Sequence, residues 1–348
     1  MVKSAKNYWK EERGISLSSK VGKFLFALCF PGDYSLGMAN LGYQSIIHLL
    51  FETPDWRGER FFSEYGPHSL ESGLPLNSFD ILGFNFSFEL DILNFLFLLQ
   101  EGGIPLLAKD RKEKDPWVIG GGPAITLNPE VLAPFMDLIV IGEAEEVFPL
   151  VLASWKEGEE NGVRREDKKK NLGKIPGVYI PSKVHPIYEE GELQDFEVEE
   201  GFSFPVTRQK VDINKFETRT FIYTPVSYFQ GASLLEVSRG CRYNCSFCAG
   251  KRIYHPLRNR SLELVEKMID HISPWSDRIG LVGADLLSHP AFEEIMKYIL
   301  EKNKKLTFSS LSALSLAKKS EVRELLSKGE VETITLAPES GSFFTRVK

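Results

Sequence analysis

Three cysteines, Cys241, Cys245 and Cys248, fall within eight consecutive positions of EVSRGCRYNCSFCAG, in a chain with four cysteines in all. Their spacing is C-x3-C-x2-C, and the aromatic Phe247 stands just before the last of them. Three thiolates on one short loop suit three irons of a 4Fe–4S cube. The fourth iron is then left without a protein ligand and is open to a substrate or cofactor. A disulfide framework does not fit so dense a group in a chain whose other signals are cytosolic. Zinc is the better rival, because His255 follows closely and would complete a Cys3His set. The flanking sequence favours the cluster. SLLEVSRG reads as a buried strand running into a glycine turn, and SLELVEKMIDHI reads as a helix after the loop. The fourth cysteine, Cys29, lies in the apolar run FLFALCF and reads as a small buried hydrophobe.

The elements that must position this loop come from strand–helix alternation. From 233 onward SLLEVSRG, RIGLVGA, LTFSSL and VETITLAPE read as strands, separated by the helices SLELVEKMIDHI, AFEEIMKYILEK and LAKKSEVRELLSKG. That order predicts a (βα) barrel of the TIM type whose strand C-termini carry the chemistry. A six-step barrel at about 30 residues per unit needs about 180 residues. The stretch 233–348 is shorter, so a partial barrel, truncated after its fourth strand, is expected. A second chain that completes it is then an expected partner, and the chain alone is expected to be poorly active. Residues 21–155 alternate strand and helix as well, with strands at KFLFALCFP, ERFFSEY, FDILGFNFS, WVIGGGP and DLIVIGE. The fold class is therefore α/β, with an N-terminal Rossmann-like parallel sheet domain at 21–155. Residues 1–20 read as a lead-in, and 156–232 as a linker with a β-hairpin. The charge run EGEENGVRREDKKK at 157–170 reads as a solvated loop.

Composition excludes several classes. The hydrophobic share is 43% and the net charge −6, which gives no electrostatic footprint for nucleic acid. No apolar run approaches the ~18 residues of a membrane span. A cytoplasmic location is expected, where a reducing interior would protect an oxygen-sensitive cluster.

The strings FPGDYSLGMANLGYQSII, GGGPAITLNPEVLAPFMDLIVIGEAEEVF, EVSRGCRYNCSFCAGKRIYHPLRNRS, LSHP and TLAPESGS follow one another along the chain. Together they resemble the radical S-adenosylmethionine (radical SAM) superfamily, in its branch with an N-terminal cobalamin-binding-like domain. The resemblance implies that Cys241, Cys245 and Cys248 hold the cluster and that SAM chelates its open iron. It implies reductive cleavage of SAM to a 5′-deoxyadenosyl radical, with an electron donor such as flavodoxin or ferredoxin. Gly283, Ala284 and Asp285 stand where the family carries a Gly-Gly-Glu-like segment that meets the SAM amino group, with Ala284 in place of the second glycine. Ser309 and Ser310 end the third strand as hydroxyl partners for SAM. Glu339 stands at the end of the fourth as a partner for the ribose diol, and Phe247 offers its backbone to the adenine. Arg252, Arg258 and Arg260 follow the cluster loop and read as surface arginines or as countercharge.

In the first domain the resemblance implies cobalamin, bound base-off beyond the strand C-termini. The candidate contacts there are Ser35, Leu36 and Gly37, then Ser87, then Gly120, Gly121, Gly122 and Pro123, then Gly142 and Glu143. The D-x-H-x-x-G string that supplies histidine to cobalt in other cobalamin domains is absent. With cobalamin, the implied outcome is methyl transfer to an unactivated carbon. The alternatives are a radical SAM enzyme without cobalamin, of the RNA-modifying methylthiotransferase kind, and a non-catalytic half of a split protein. The first is weakened because Cys29 stands alone in the N-terminal half.

Overall fold

The computed structural model describes residues 8–243, 245–331, 333–337 and 341–342. The chain divides into two compact units, one built on Ile15–Val211 and one on Trp9–Gly14 with the chain from Asp212 onward. The segment 156–232 thus divides between them at Val211 rather than standing apart.

The first unit is built on six strands: β1 (Phe24–Phe30), β2 (Trp56–Phe62), β3 (Ile81–Asn85), β4 (Trp117–Gly121), β5 (Leu138–Val140) and β6 (Val178–Tyr179). They lie in the order β2-β1-β3-β4-β5-β6. The first five are parallel, in register at Phe26 with Ile81, Ile81 with Trp117 and Ile119 with Leu138. Helices cover such sheets on both faces, so the strands read as continuous apolar runs. β1 is the plainest case, and its Cys29 is fully buried. β6 goes beyond the expected five strands and runs antiparallel to β5. Two residues are too few for a periodic signal, yet both are buried, and Tyr179 Oη donates to Glu130 Oε1 at 2.7 Å.

The chain runs from β1 outward to β2 and then back past β1 to β3. The order reverses between β1 and β3, which makes their C-terminal ends the switch-point crevice of the sheet. Helices α1 (Tyr34–Met38) and α2 (Leu41–Glu52) follow β1, α3 (Asp91–Glu101) follows β3, and α4 (Pro123–Leu127) follows β4. The outer edge of β2 is covered by the loop at 67–75. Leu70 N–H donates to Arg60 O at 2.8 Å, and Arg60 N–H donates to Glu71 Oε2 at 2.6 Å.

The charge run at 157–170 is not a solvated loop. It ends α5 (Val147–Glu160) and forms most of α6 (Arg165–Leu172), with Arg165, Lys168 and Lys169 buried. Asp137 explains this. Its fully buried carboxylate takes Arg111 Nη1 at 2.9 Å, Arg165 Nη2 at 2.8 Å and the Val118 N–H at 2.9 Å. The Arg165 guanidinium also stacks 4.6 Å over Trp117. Residues that look like a solvated face are drawn in by one acid 28 positions earlier.

In the second unit β7 (Ser233–Glu236), β8 (Arg278–Val282) and β9 (Lys305–Phe308) form a parallel sheet in chain order. Leu311–Ser312 pairs in parallel with Leu336–Ala337, the fourth strand position. After α7 (Gly250–Tyr254), helices α8 (Leu262–Ile272) and α9 (Phe292–Glu301) pack on the sheet. In α8 the Ser261 side chain caps the start by accepting the Leu264 N–H, and Val265, Met268, Ile269 and Ile272 fall on the buried face. LTFSSL breaks at Ser309 and Ser310 instead of running as one strand. LAKKSEVRELLSKG breaks at Lys319 into α10 (Ala313–Lys318) and α11 (Ser320–Lys328).

The Asp137 pairing makes a direct prediction. Asp137→Asn leaves two guanidiniums buried without their anion and should cost about 3–5 kcal/mol. Urea unfolding monitored by tryptophan fluorescence measures this, and a loss below 1 kcal/mol would contradict the assignment.

Candidate functional site

The cysteine loop leaves the sheet at the C-terminal end of β7. The strand pair Ser238–Arg239 with Arg258–Asn259 closes its base, so the loop is a returned excursion between two antiparallel pieces. All three thiols are free. Cys241 and Cys245 are half-buried and Cys248 is exposed. The Tyr243 N–H points at Cys241 Sγ at 3.5 Å. Burial pushes the Cys241 thiol up. The Tyr243 amide opposes this, and the negative charges of Asp285, Cys245 and Cys248 add to it.

Two features of this region stand out. The thiols form no disulfide, and a carboxylate waits beside them. Asp285 is 4% exposed, and neither of its oxygens has a hydrogen-bond donor. Arg242 Nε stands 2.9 Å from Oδ2, a charge contact outside hydrogen-bond alignment. Buried carboxylates without donors are costly, so the residue is shaped for a partner that the protein alone does not supply. Gly283 passes so close to the first strand that a Cβ there would lie 2.6 Å from Ser238 Oγ. Ser238 Oγ is itself buried without a partner. Ser309 Oγ donates to Gly283 O at 3.2 Å, which brings the third strand's end to the same place. Among the described residues no three His, Cys, Asp or Glu side chains, those of the cysteine loop included, are arranged to hold a single metal ion.

The structure therefore joins Gly283, Asp285 and Ser309 to one another and, through Arg242, to the loop that carries Cys241, Cys245 and Cys248. Ala284 and Ser310 are exposed beside them. Phe247 is 71% exposed, at the tip of the loop and free of packing beneath it. Glu339 lies outside the described residues.

Arg260 is not a surface arginine. Its side chain is fully buried, donating to the Ile213 and Phe216 carbonyls, to Thr218 Oγ1 at 2.7 Å and to Glu236 Oε2 at 2.6 Å. Burial alone would raise the Glu236 carboxyl, but the Arg239 and Arg260 guanidiniums outweigh it and hold it below its usual range. His289, from the LSHP string, braces the same residue. Its Nε2–H donates to Arg260 O at 2.9 Å while Nδ1 accepts the Ala291 N–H at 3.1 Å. Sequence reasoning did not assign these roles.

In the first unit the candidates separate. Ser87 belongs to the switch-point crevice, where Asn40 Nδ2 donates to its Oγ at 2.8 Å and Asn85 Nδ2 at 3.2 Å. Asn40 and Asn85 were not foreseen, and the strand order is the signal that finds them. Ser35 and Leu36 lie on α1 at the same rim, with Leu36 exposed, as are Phe88 and Leu90. Gly37 and Gly120 are hemmed in by the chain's own side chains. Gly121, Gly122 and Pro123 lead from β4 into α4. Gly142 has φ +104° because Gln209 passes against it, and Glu143 Oε2 accepts the Val211 N–H at 2.9 Å. That last pair serves the chain's own strap at 209–211.

Residues 235–347 match the family model of the radical SAM superfamily, and residues 42–181 match that of the N-terminal region of radical SAM proteins. The chain thus carries a radical SAM domain and, before it, the N-terminal domain of radical SAM proteins. An uncharacterized protein of Methanocaldococcus jannaschii is 22% identical over 323 residues, which cover 91% of this chain and 60% of that protein. The chain accordingly spans about 60% of that relative's length. Among solved structures it resembles OxsB, described as a cobalamin-dependent S-adenosylmethionine radical enzyme. The form with aqua-cobalamin and S-adenosylmethionine has a TM-score of 0.54 at 19% identity, covering 92% of this chain and 44% of that one. The form with aqua-cobalamin alone has a TM-score of 0.56 at 18% identity, covering 92% and 45%. Among the described residues no helix is long and apolar enough to cross a membrane.

The brace at His289 is pH-sensitive. Burial pushes its imidazole below its ordinary value, against the opposing hydrogen bond to Arg260 O. The unfolded chain binds this proton below about pH 6.5, whereas the folded chain resists it to lower pH. The stabilisation is therefore complete above about pH 6.5 and is lost as pH falls, by up to about 1.4 kcal/mol per unit. Urea unfolding at pH 7.5 and 5.5 should show a steeper loss for the native chain than for His289→Gln; equal slopes would refute the neutral assignment.

Proposed function

We propose that this chain is a radical SAM enzyme, with Cys241, Cys245 and Cys248 holding a 4Fe–4S cluster and S-adenosylmethionine as its ligand. The bound cluster supplies one-electron chemistry that splits SAM into methionine and a 5′-deoxyadenosyl radical, with the electron coming from a flavodoxin or ferredoxin. The observation that carries the reading is the buried Asp285 carboxylate, without a hydrogen-bond donor, beside three free thiols. Asp285 offers an anion to an ammonium group. Gly283 and Ser309 offer a narrow backbone edge and a hydroxyl for the rest of the ligand. The loop and strand ends orient the ligand and keep water from it, which is the protein's share of cofactor chemistry.

Cobalamin on the first unit, with methyl transfer as the outcome, is the finer part of the proposal. It is supported by the description of the OxsB structures and by the switch-point crevice. Amide and hydroxyl groups of Asn40, Asn85 and Ser87 would face the amide rim of a corrin, and Leu36, Phe88 and Leu90 its apolar faces. The strand-end loops at 31–40, 85–91, 121–128 and 141–146 contain no histidine, so cobalt would take no imidazole from them.

Replacing any one of Cys241, Cys245 or Cys248 by alanine should reduce retained iron and sulfide severalfold after anaerobic reconstitution and abolish 5′-deoxyadenosine formation. Cys29→Ala should leave the iron content unchanged. Full iron in Cys245→Ala, or near-stoichiometric zinc in the native chain, would defeat the cluster assignment.

Equilibrium dialysis tests the cobalamin reading separately. Hydroxocobalamin should be retained by the native chain and weakened at least severalfold by Asn85→Leu. Retention no greater than that of a control protein would reject it.

A further inference from the structure

Arg242 lies directly after the first cysteine and makes contacts that hold the loop in place. Its Nε stands 2.9 Å from Asp285 Oδ2, beyond the end of β8. Its Nη2 donates to Tyr243 Oη at 3.2 Å and to Ser315 Oγ, on α10, at 3.4 Å. The guanidinium also stacks 5.0 Å from the Tyr243 ring. One side chain therefore ties the cysteine loop to elements following two different strands.

The two ends of the ion pair differ. The Asp285 side chain is 2% exposed, while that of Arg242 is 47% exposed. The acid is fixed in the protein, and the base reaches it from a half-open loop. A buried carboxylate needs a cation nearby, since an isolated one is strongly disfavoured. Off-line approach by Nε meets the charge requirement without filling either oxygen's hydrogen-bond positions. A compact ammonium carries three donors that rotate freely, and a guanidinium carries a rigid planar fork. The ammonium fits a small space beside a carboxylate better. Displaced from Asp285, the arginine keeps Tyr243 and Ser315 as partners and stays on the loop.

We infer that Arg242 is a specificity-determining residue which occupies Asp285 in the ligand-free chain and yields it to the ligand's ammonium group. The inference rests on the proposed SAM site and adds to it a competitor encoded in the protein itself. Ligands without the amino group leave the Arg242–Asp285 pair intact and gain nothing from the carboxylate. The exchange makes the site select for an α-amino group, and it loosens the cysteine loop from Asp285 only when that group arrives.

The test uses the full chain, anaerobically reconstituted, with two probes: S-adenosylhomocysteine and its analogue lacking the α-amino group. Calorimetric affinities are measured for the native chain, Arg242→Gln, Arg242→Lys and Asp285→Asn. Removing the competitor should strengthen S-adenosylhomocysteine about three- to tenfold while leaving the deaminated analogue unchanged. Arg242→Lys keeps a cation beside Asp285 and should not strengthen S-adenosylhomocysteine, and Asp285→Asn should erase the difference between the probes. A second readout needs no ligand or turnover. Amide exchange at 241–243 and 313–318 should rise in Arg242→Gln and stay native in Arg242→Lys. Equal weakening of both probes in Arg242→Gln would overturn the inference, since the arginine would then contact the ligand itself. Unchanged affinity for both probes would overturn it as well. Failure of the native chain to bind S-adenosylhomocysteine would overturn the SAM site, and this inference with it. Loss of the probe difference in Asp285→Asn with no gain in Arg242→Gln would spare the site and reject the exchange.

Discussion

The guanidinium of Arg260 is the fixed point of the second unit. It reaches the carbonyls of Ile213 and Phe216, the Thr218 hydroxyl and the Glu236 carboxylate, while its own carbonyl holds His289. Glu236 is the last residue of β7, and Arg260 lies just past the strand pair that closes the cysteine loop. The strand entering the loop and the chain leaving it are therefore joined across its base. The two ends of the cysteine loop are thereby held to each other. Buried ion pairs are weak contributors to stability when compared with apolar packing. Here the charge gives a direction to the chain, which packing alone does not.

The cysteine group was more legible in the sequence than the framework around it. Cys241, Cys245 and Cys248 sit within one loop, so covalent order alone brings them together and no fold has to be known. β1 was equally plain, since a strand buried on both faces reads as an unbroken apolar run. Arg260 was hidden for the opposite reason. Its partners at Ile213 and Phe216 lie 47 and 44 residues earlier, in a stretch read only as linker. The charged segment around Arg165 was hidden in the same way, because Asp137 reverses the usual meaning of a lysine- and arginine-rich run. Glycine was the least reliable sign. Gly283 marks a close approach at the site, whereas Gly142 makes room for the protein's own Gln209.

The crevice of the first unit follows from topology rather than from any motif. Asn40 follows β1 by way of α1, Asn85 ends β3, and Ser87 stands just beyond it. They meet only because the chain turns back across β1 to reach β3. A pattern search weights the glycine strings at 120–122 and 142, which lie one and two strands away from the reversal. Strand order carries information about binding that residue type does not.

The covered margins of the first sheet also bear on how the protein behaves at high concentration. On one side Leu70 and Glu71 take up the free backbone groups at Arg60 of β2, and on the other β6 closes the ladder against β5. Open strand margins are templates on which further copies assemble into ribbons. At Arg60 the protein's own loop occupies that template, and the outer side of β5 is taken by β6, so neither place is open to a strand from another copy.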